Sequence, residues 1–65
     1  MQKAKRILRR KEVEEKVGLG RSSIYQKVKT GGFPKPINIS ERAIGWVESE
    51  IDDWISSRIE EARHA

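Results

Sequence analysis

Between Arg21 and Lys29 the chain places Arg21, Ser22, Ser23, Tyr25, Gln26 and Lys29 around two apolar residues, Ile24 and Val28. These side chains suit hydrogen bonding to base edges and phosphate oxygens. An arginine can pair bidentately with guanine and a glutamine with adenine, each worth roughly 1–3 kcal/mol of discrimination. The hydroxyls of Ser23 and Tyr25 suit phosphate oxygens, while Lys27 and Lys29 supply charge more than sequence information. A second group, Lys35, Asn38 and Arg42, follows downstream. Catalysis is a poor match, because no nucleophile–base pair, metal cluster or Gly-rich phosphate loop is visible. Asp52 and Asp53 are neighbours on a helix and point about 100° apart, so they do not form an acid–base pair. His64 has no second ligand near it, so neither a metal nor a cofactor is expected.

The elements that must position these residues follow from periodicity and breakers. Val13 and Val17 are four apart, which places both on one face of a first helix from about Arg10 to Val17. Glu12 and Lys16 are spaced as an exposed pair on that helix. Gly18 suits the left-handed position that ends it. Gly20 or Arg21 opens the next helix, which runs to about Lys29 with Ile24 and Val28 on its buried side. Ser22, Gln26 and Lys29 then fall on the opposite side. Two helices joined by a short Gly-containing turn match the helix-turn-helix pattern, although a solvated polar face is the competing reading.

Thr30-Gly31-Gly32 and Phe33-Pro34-Lys35-Pro36 end the second helix. Ile37-Asn38-Ile39 and Ile44-Gly45-Trp46 alternate at strand period around a polar turn, which predicts a hairpin. Ile37, Ile39, Ile44 and Trp46 are expected to face the core together, register permitting. From about Glu48 to Glu61 a final helix carries Ile51, Trp54, Ile55 and Ile59 as its apolar stripe. Ser49-x-x-Asp52 is a weak capping-box-like start to it. Trp46 and Trp54 could stack on single-stranded bases, but their stripe positions assign them to the core.

Composition agrees with one small domain. The chain has 65 residues and no cysteine, so apolar packing must hold it without disulfides or thiolate metal sites. The net charge is +4, split unevenly: residues 1–42 carry 12 Lys and Arg against 4 Asp and Glu, whereas residues 43–65 carry 2 against 6. A basic body with an acidic tail is the expected footprint of a phosphate-binding surface. The basic start is followed by no apolar run of the length a secretory leader or membrane span needs, which points to the cytoplasm and the nucleoid. Residues 1–6 read as a flexible basic arm, in which Lys3, Lys5 and Arg6 either track phosphates or stay disordered. The domain is expected over residues 7–62, with 63–65 as a frayed tail.

Four segments also resemble a known family. Gly18-Leu19-Gly20-Arg21-Ser22-Ser23-Ile24-Tyr25, Gly31-Gly32-Phe33-Pro34-Lys35-Pro36, Arg42-Ala43-Ile44-Gly45-Trp46 and Glu48-Ser49-Glu50-Ile51-Asp52-Asp53-Trp54-Ile55 are similar, in that order and spacing, to the AlpA family of prophage regulators. Those proteins are relatives of excisionases and of MerR-type DNA-binding domains. The order helix, helix, hairpin, helix read from the residues is that of a small, mainly α winged helix-turn-helix with a β-hairpin, and the resemblance implies the same fold. It implies sequence-specific binding of double-stranded DNA and control of a prophage or mobile-element gene. The family usually has Ser where this chain has Gly20, and a Ser there would cap the second helix. Glycine is a tolerated cap.

On this reading residues 21–29 enter the major groove by their N-terminal half. The hairpin at 37–46 lies on the adjacent backbone or in the minor groove. Arg42 at its tip can read a narrow minor groove, with pairing to Glu41 as the competing reading. Lys35 and Asn38 flank it, within reach of phosphate. An excisionase acting with a phage-type integrase would use the same contacts. An antirepressor that never touches DNA, working through the acidic last helix, is the alternative of another class. Several copies on repeated sites would give so small a module useful specificity.

Overall fold

The structure is a computed structural model and describes residues 5–64. The expected arm residue Lys3 therefore lies outside the described residues. Three helices and a three-stranded antiparallel sheet follow the order β1 (Ile7–Leu8), α1 (Arg10–Val17), α2 (Arg21–Thr30), β2 (Ile37–Ser40), β3 (Ala43–Val47) and α3 (Glu48–His64). This is a mainly helical domain with a wing, as the helical periodicities and the turn residues predict. No described helix is long and apolar enough to cross a membrane.

The helix ends follow local chemistry. The Arg9 N–H donates to the Glu12 carboxylate at 2.9 Å, closing the start of α1 from within. Gly18 ends α1 at φ +73° and Gly31 ends α2 at φ +86°, a left-handed backbone that glycine adopts without a Cβ penalty. Gly20 is the N-cap of α2, in extended backbone with open space where a Cβ would stand. A serine fits there and can accept a hydrogen bond from the first turn. Gly20→Ser is therefore expected to stabilise the domain by a few tenths of a kcal/mol, read as a thermal midpoint raised by roughly 1–3 °C. A lowered midpoint would show that the Ser side chain cannot reach the helix N–H groups.

β1 is the element that periodicity does not reveal. Its two residues pair with Val47 and Trp46, and the Glu48 N–H donates to the Arg6 carbonyl at 2.8 Å. β3 is thereby the central strand, and the expected two-stranded hairpin is one half of the sheet. Arg6 is held too, with its guanidinium 3.0 Å from Glu12 and 3.7 Å from Glu48. That places Arg6 in the fold rather than in a free arm.

Strand register decides the core. Ile37 pairs with Gly45, and Asn38 pairs with Ile44. The inner face of β3 therefore presents Ile44 and Trp46, while Ile37 shares the outer face with Gly45. Ile37 and Ile39 are exposed (39% and 43%) and do not join the core as expected. The buried set is Leu8, Val13, Ile24, Phe33, Trp46 and Ile51, flanked by half-buried Val17, Leu19, Val28, Ile44, Trp54 and Ile55. Phe33 enters as an anchor from the loop, edge-on to Trp54 at 4.8 Å between ring centres. The Trp54 indole N–H donates to the Gly32 carbonyl at 2.7 Å, which pins that loop to α3.

α3 follows β3 without a linker and continues to His64, past the expected end near Glu61. Ser49 thus lies inside the helix and is not its cap. Asp52 instead accepts from Lys16 at 2.8 Å and Glu48 does so at 3.0 Å. Lys16 therefore bridges α1 to α3 instead of pairing with Glu12. The two carboxylates, Asp52 foremost, raise the Lys16 ammonium above its ordinary pKa. Ile59 is exposed, and the α3 residues that join the core are Ile51, Trp54 and Ile55, so the expected stripe ends at Ile55. Near the helix end, the His64 ring lies 3.0 Å from the Glu60 carboxylate.

Candidate nucleic-acid interface

α2 is fixed from beneath by Ile24, fully buried, and by half-buried Val28. At 3.6 residues per turn this directs Ser22, Gln26 and Lys29 away from the core, and all three are exposed. Ser23 and Gln26 line a shallow depression with Lys27 and Thr30. The Thr30 hydroxyl is spent on the Lys27 carbonyl at 3.2 Å. The second-helix residues expected to meet DNA thus share one continuous surface. Arg21 and Tyr25 occupy its flank. The Arg21 guanidinium lies over the Tyr25 ring at 5.8 Å, and that ring leans on Trp46 with 6.4 Å between centres. Tyr25 is therefore half core and half surface, with 37% of the residue exposed.

The hairpin turn brings Arg42 back toward that flank. β2 ends at Ser40 and β3 starts at Ala43, so Glu41 and Arg42 form the tip, both exposed. Arg42 and Tyr25 line one groove together with Ile44 of β3 and with Arg9, Arg10 and Lys11 at the start of α1. Asn38 is exposed and stands opposite Ile44, on the strand face that borders this groove. Lys35 is exposed in the loop before β2.

Charge pairing is uneven across the described residues. Arg6, Arg10, Lys16 and Arg58 each have a carboxylate partner. Among the described residues none pairs with Lys5, Arg9, Lys11, Arg21, Lys27, Lys29, Lys35, Arg42 or Arg63. Apart from Lys5 and Arg63, these cations lie at the start of α1, along α2 and around the hairpin. The acids of α3 are turned elsewhere, with Glu48 and Asp52 held by Lys16. α2 also carries no acidic residue in its first turn.

Arg9, Arg10 and Lys11 are the members of this surface that helical periodicity passes over, since it follows apolar residues and none of the three is apolar. Their signal is electrostatic. Three successive cations open a helix at the end where the backbone dipole favours acids.

The sequence is similar to known proteins over most of its length. The family model described as prophage CP4-57 regulatory protein (AlpA) matches residues 6–59. The DNA-binding transcriptional activator AlpA of Escherichia coli K12 is 38% identical over 61 residues, covering 85% of this chain and 87% of that protein. The uncharacterized protein ORF88 of Enterobacteria phage P4 is 37% identical over 54 residues, covering 83% of this chain. The chain spans 61% of the phage protein's length.

Proposed function

The chain belongs to the AlpA family of prophage regulatory proteins, and from that premise we propose that it is a sequence-specific regulator of transcription acting on double-stranded DNA of a prophage or mobile element. α2 enters the major groove, and the hairpin lies on the neighbouring backbone or minor groove. Ser22 and Gln26, on the side of α2 directly away from Ile24, read base edges. Arg21, propped on Tyr25, reaches either a guanine or the adjoining phosphate. Ser23, Tyr25 and Lys29 hold the backbone, with Lys35, Asn38 and Arg42 doing so from the wing. The observation that carries this reading is where charge is left over: among the described residues the cations of α2 and the hairpin have no carboxylate partner, while Arg6 and Lys16 are paired with acids of α3. An antirepressor working through the acidic helix gives no reason for that distribution.

Selection of bound duplexes from a random pool tests the proposal. An enriched motif is expected, and its repetition reports how many copies bind. Binding through about six phosphates gives a log–log salt slope near −5. Gln26→Ala is expected to relax one position of the motif at a cost of roughly 1–3 kcal/mol. Lys29→Ala is expected to weaken all sequences alike and to flatten the slope by about one. No enriched motif, or affinity indifferent to salt, overturns the reading.

A further inference from the structure

We propose that the groove between the start of α1, the Tyr25 ring and the hairpin turn is a seat for one phosphodiester of the DNA backbone, held jointly by Arg9, Lys11 and Arg42. The inference rests on the DNA-binding reading and assigns one part of the interface a distinct duty.

Three elements build the groove, which has a volume of about 340 Å³. α1 contributes Arg9, Arg10 and Lys11, α2 contributes Tyr25, and the hairpin contributes Arg42 and Ile44. No carboxylate is among these lining residues. Arg10 is occupied by Glu14, whereas Arg9, Lys11 and Arg42 have no carboxylate partner among the described residues. Cations drawn to one groove from distant parts of the chain repel one another unless an anion sits between them. The α1 cations also oppose the helix dipole, so local helix stability does not account for them.

The walls suit a phosphate. The Tyr25 ring and Ile44 form an apolar side that limits screening by water, and the Tyr25 hydroxyl can donate to an oxygen. The Arg9 and Arg42 guanidiniums offer forked donors matched to phosphate oxygens. The groove adjoins the Arg21–Tyr25 flank of α2, so a duplex engaged by α2 carries its backbone past it. Arg42 is accordingly assigned to the backbone and not to reading minor-groove width.

The test uses the full chain and a short duplex carrying the selected motif, with affinity followed by fluorescence anisotropy across a salt series. The Arg9→Gln/Lys11→Gln/Arg42→Gln variant is expected to bind about tenfold more weakly or worse. Its salt slope is expected to be about one unit shallower, with the motif unchanged on reselection. Arg58→Gln, on α3, serves as the charge control and is expected to bind as the parent does. Duplexes with one neutral methylphosphonate linkage, scanned along the backbone, locate the phosphate. One position is expected to weaken the parent and leave the triple variant indifferent. Thermal melts establish that the variant is folded, and an Arg9→Lys/Arg42→Lys variant keeps the charge if it is not.

If the parent binds with the expected salt dependence while the triple variant keeps its affinity and slope, the groove proposal fails and DNA binding stands. A motif altered in the Arg42→Gln variant alone overturns the backbone assignment. A parent that shows no salt-dependent duplex binding brings down both readings.

Discussion

Trp46→Ala is expected to remove the cooperative thermal transition of this protein. Trp46 is fully buried on the central strand, where α1 and α3 both pack. Its ring also backs Tyr25, and its indole N–H donates to the Pro34 carbonyl at 2.8 Å. Truncating a buried aromatic ring costs about 3–5 kcal/mol from lost burial and the cavity left behind. A chain of this length has a total stability of only about 3–10 kcal/mol. The substitution therefore consumes much or all of what holds the fold. Trp46→Phe separates the two contributions. It keeps most of the ring but orphans the Pro34 carbonyl, for a smaller loss of about 1–3 kcal/mol. Denaturant melts followed by far-ultraviolet circular dichroism measure both. A Trp46→Ala protein that melts cooperatively within a few degrees of the parent would remove Trp46 from the centre of the core.

The second large effect is expected at Gly45, for the opposite reason. There a group is missing because there is no room for it. A Cβ on Gly45 would stand 2.9 Å from the Leu8 carbonyl oxygen, 2.6 Å from Ile7 Cγ2 and 2.7 Å from Ile39 Cδ1. The two isoleucine side chains can rotate, since they lie on the exposed face of the sheet. The Leu8 oxygen is backbone, so β1 must move away from β3. Relief of unfolded-chain entropy would favour alanine by about 0.4–1 kcal/mol. Overpacking against backbone costs about 1–3 kcal/mol, so Gly45→Ala is expected to destabilise. Adding Ile39→Ala should recover the part due to side-chain crowding and leave the part due to β1. A neutral or stabilised Gly45→Ala would mean that β1 yields freely, and the pairing that holds Arg6 near Glu48 would then be weak.

Both effects converge on β3, and β3 links the fold to the proposed DNA surface. Its inner face holds Trp46, which props Tyr25. Its first residues carry Ile44 into the groove below Arg42. Damage to the strand is therefore expected to lower DNA affinity through misplacement of Tyr25 and Arg42, without touching a base-reading side chain. Measuring affinity on the folded fraction of Trp46→Phe separates this from unfolding.

Much of this was legible along the chain because it depends on neighbours in sequence. Val13 and Val17, Ile24 and Val28, and Ile51 with Trp54 and Ile55 repeat at helical spacing, and Gly18 and Gly31 mark where two helices stop. The exposed face of α2 follows from the same geometry, since burying Ile24 leaves Ser22 and Gln26 no other direction. The uneven charge and the wing turn around Arg42 are likewise local facts. The order of helix, helix, hairpin and helix follows from the same local signals, and the family resemblance agrees with it.

What only the tertiary structure decided depends on which segments meet. Two residues of β1 are too few to show a period, and their strand exists because β3 offers an edge for them. The hairpin register places Ile37 opposite Gly45, and a shift of one residue would exchange the two faces, so alternation alone could not say that Ile37 and Ile39 lie outside. Ile59 continues a stripe whose partner surface ends before it. Lys16 finds Asp52 and Glu48 across the fold, not Glu12 beside it. The groove of Arg9, Lys11, Tyr25 and Arg42 draws on residues 9 to 42 and has no spacing to reveal it. Periodicity reports the direction of a side chain relative to its own element, and only packing brings separate elements to a common site.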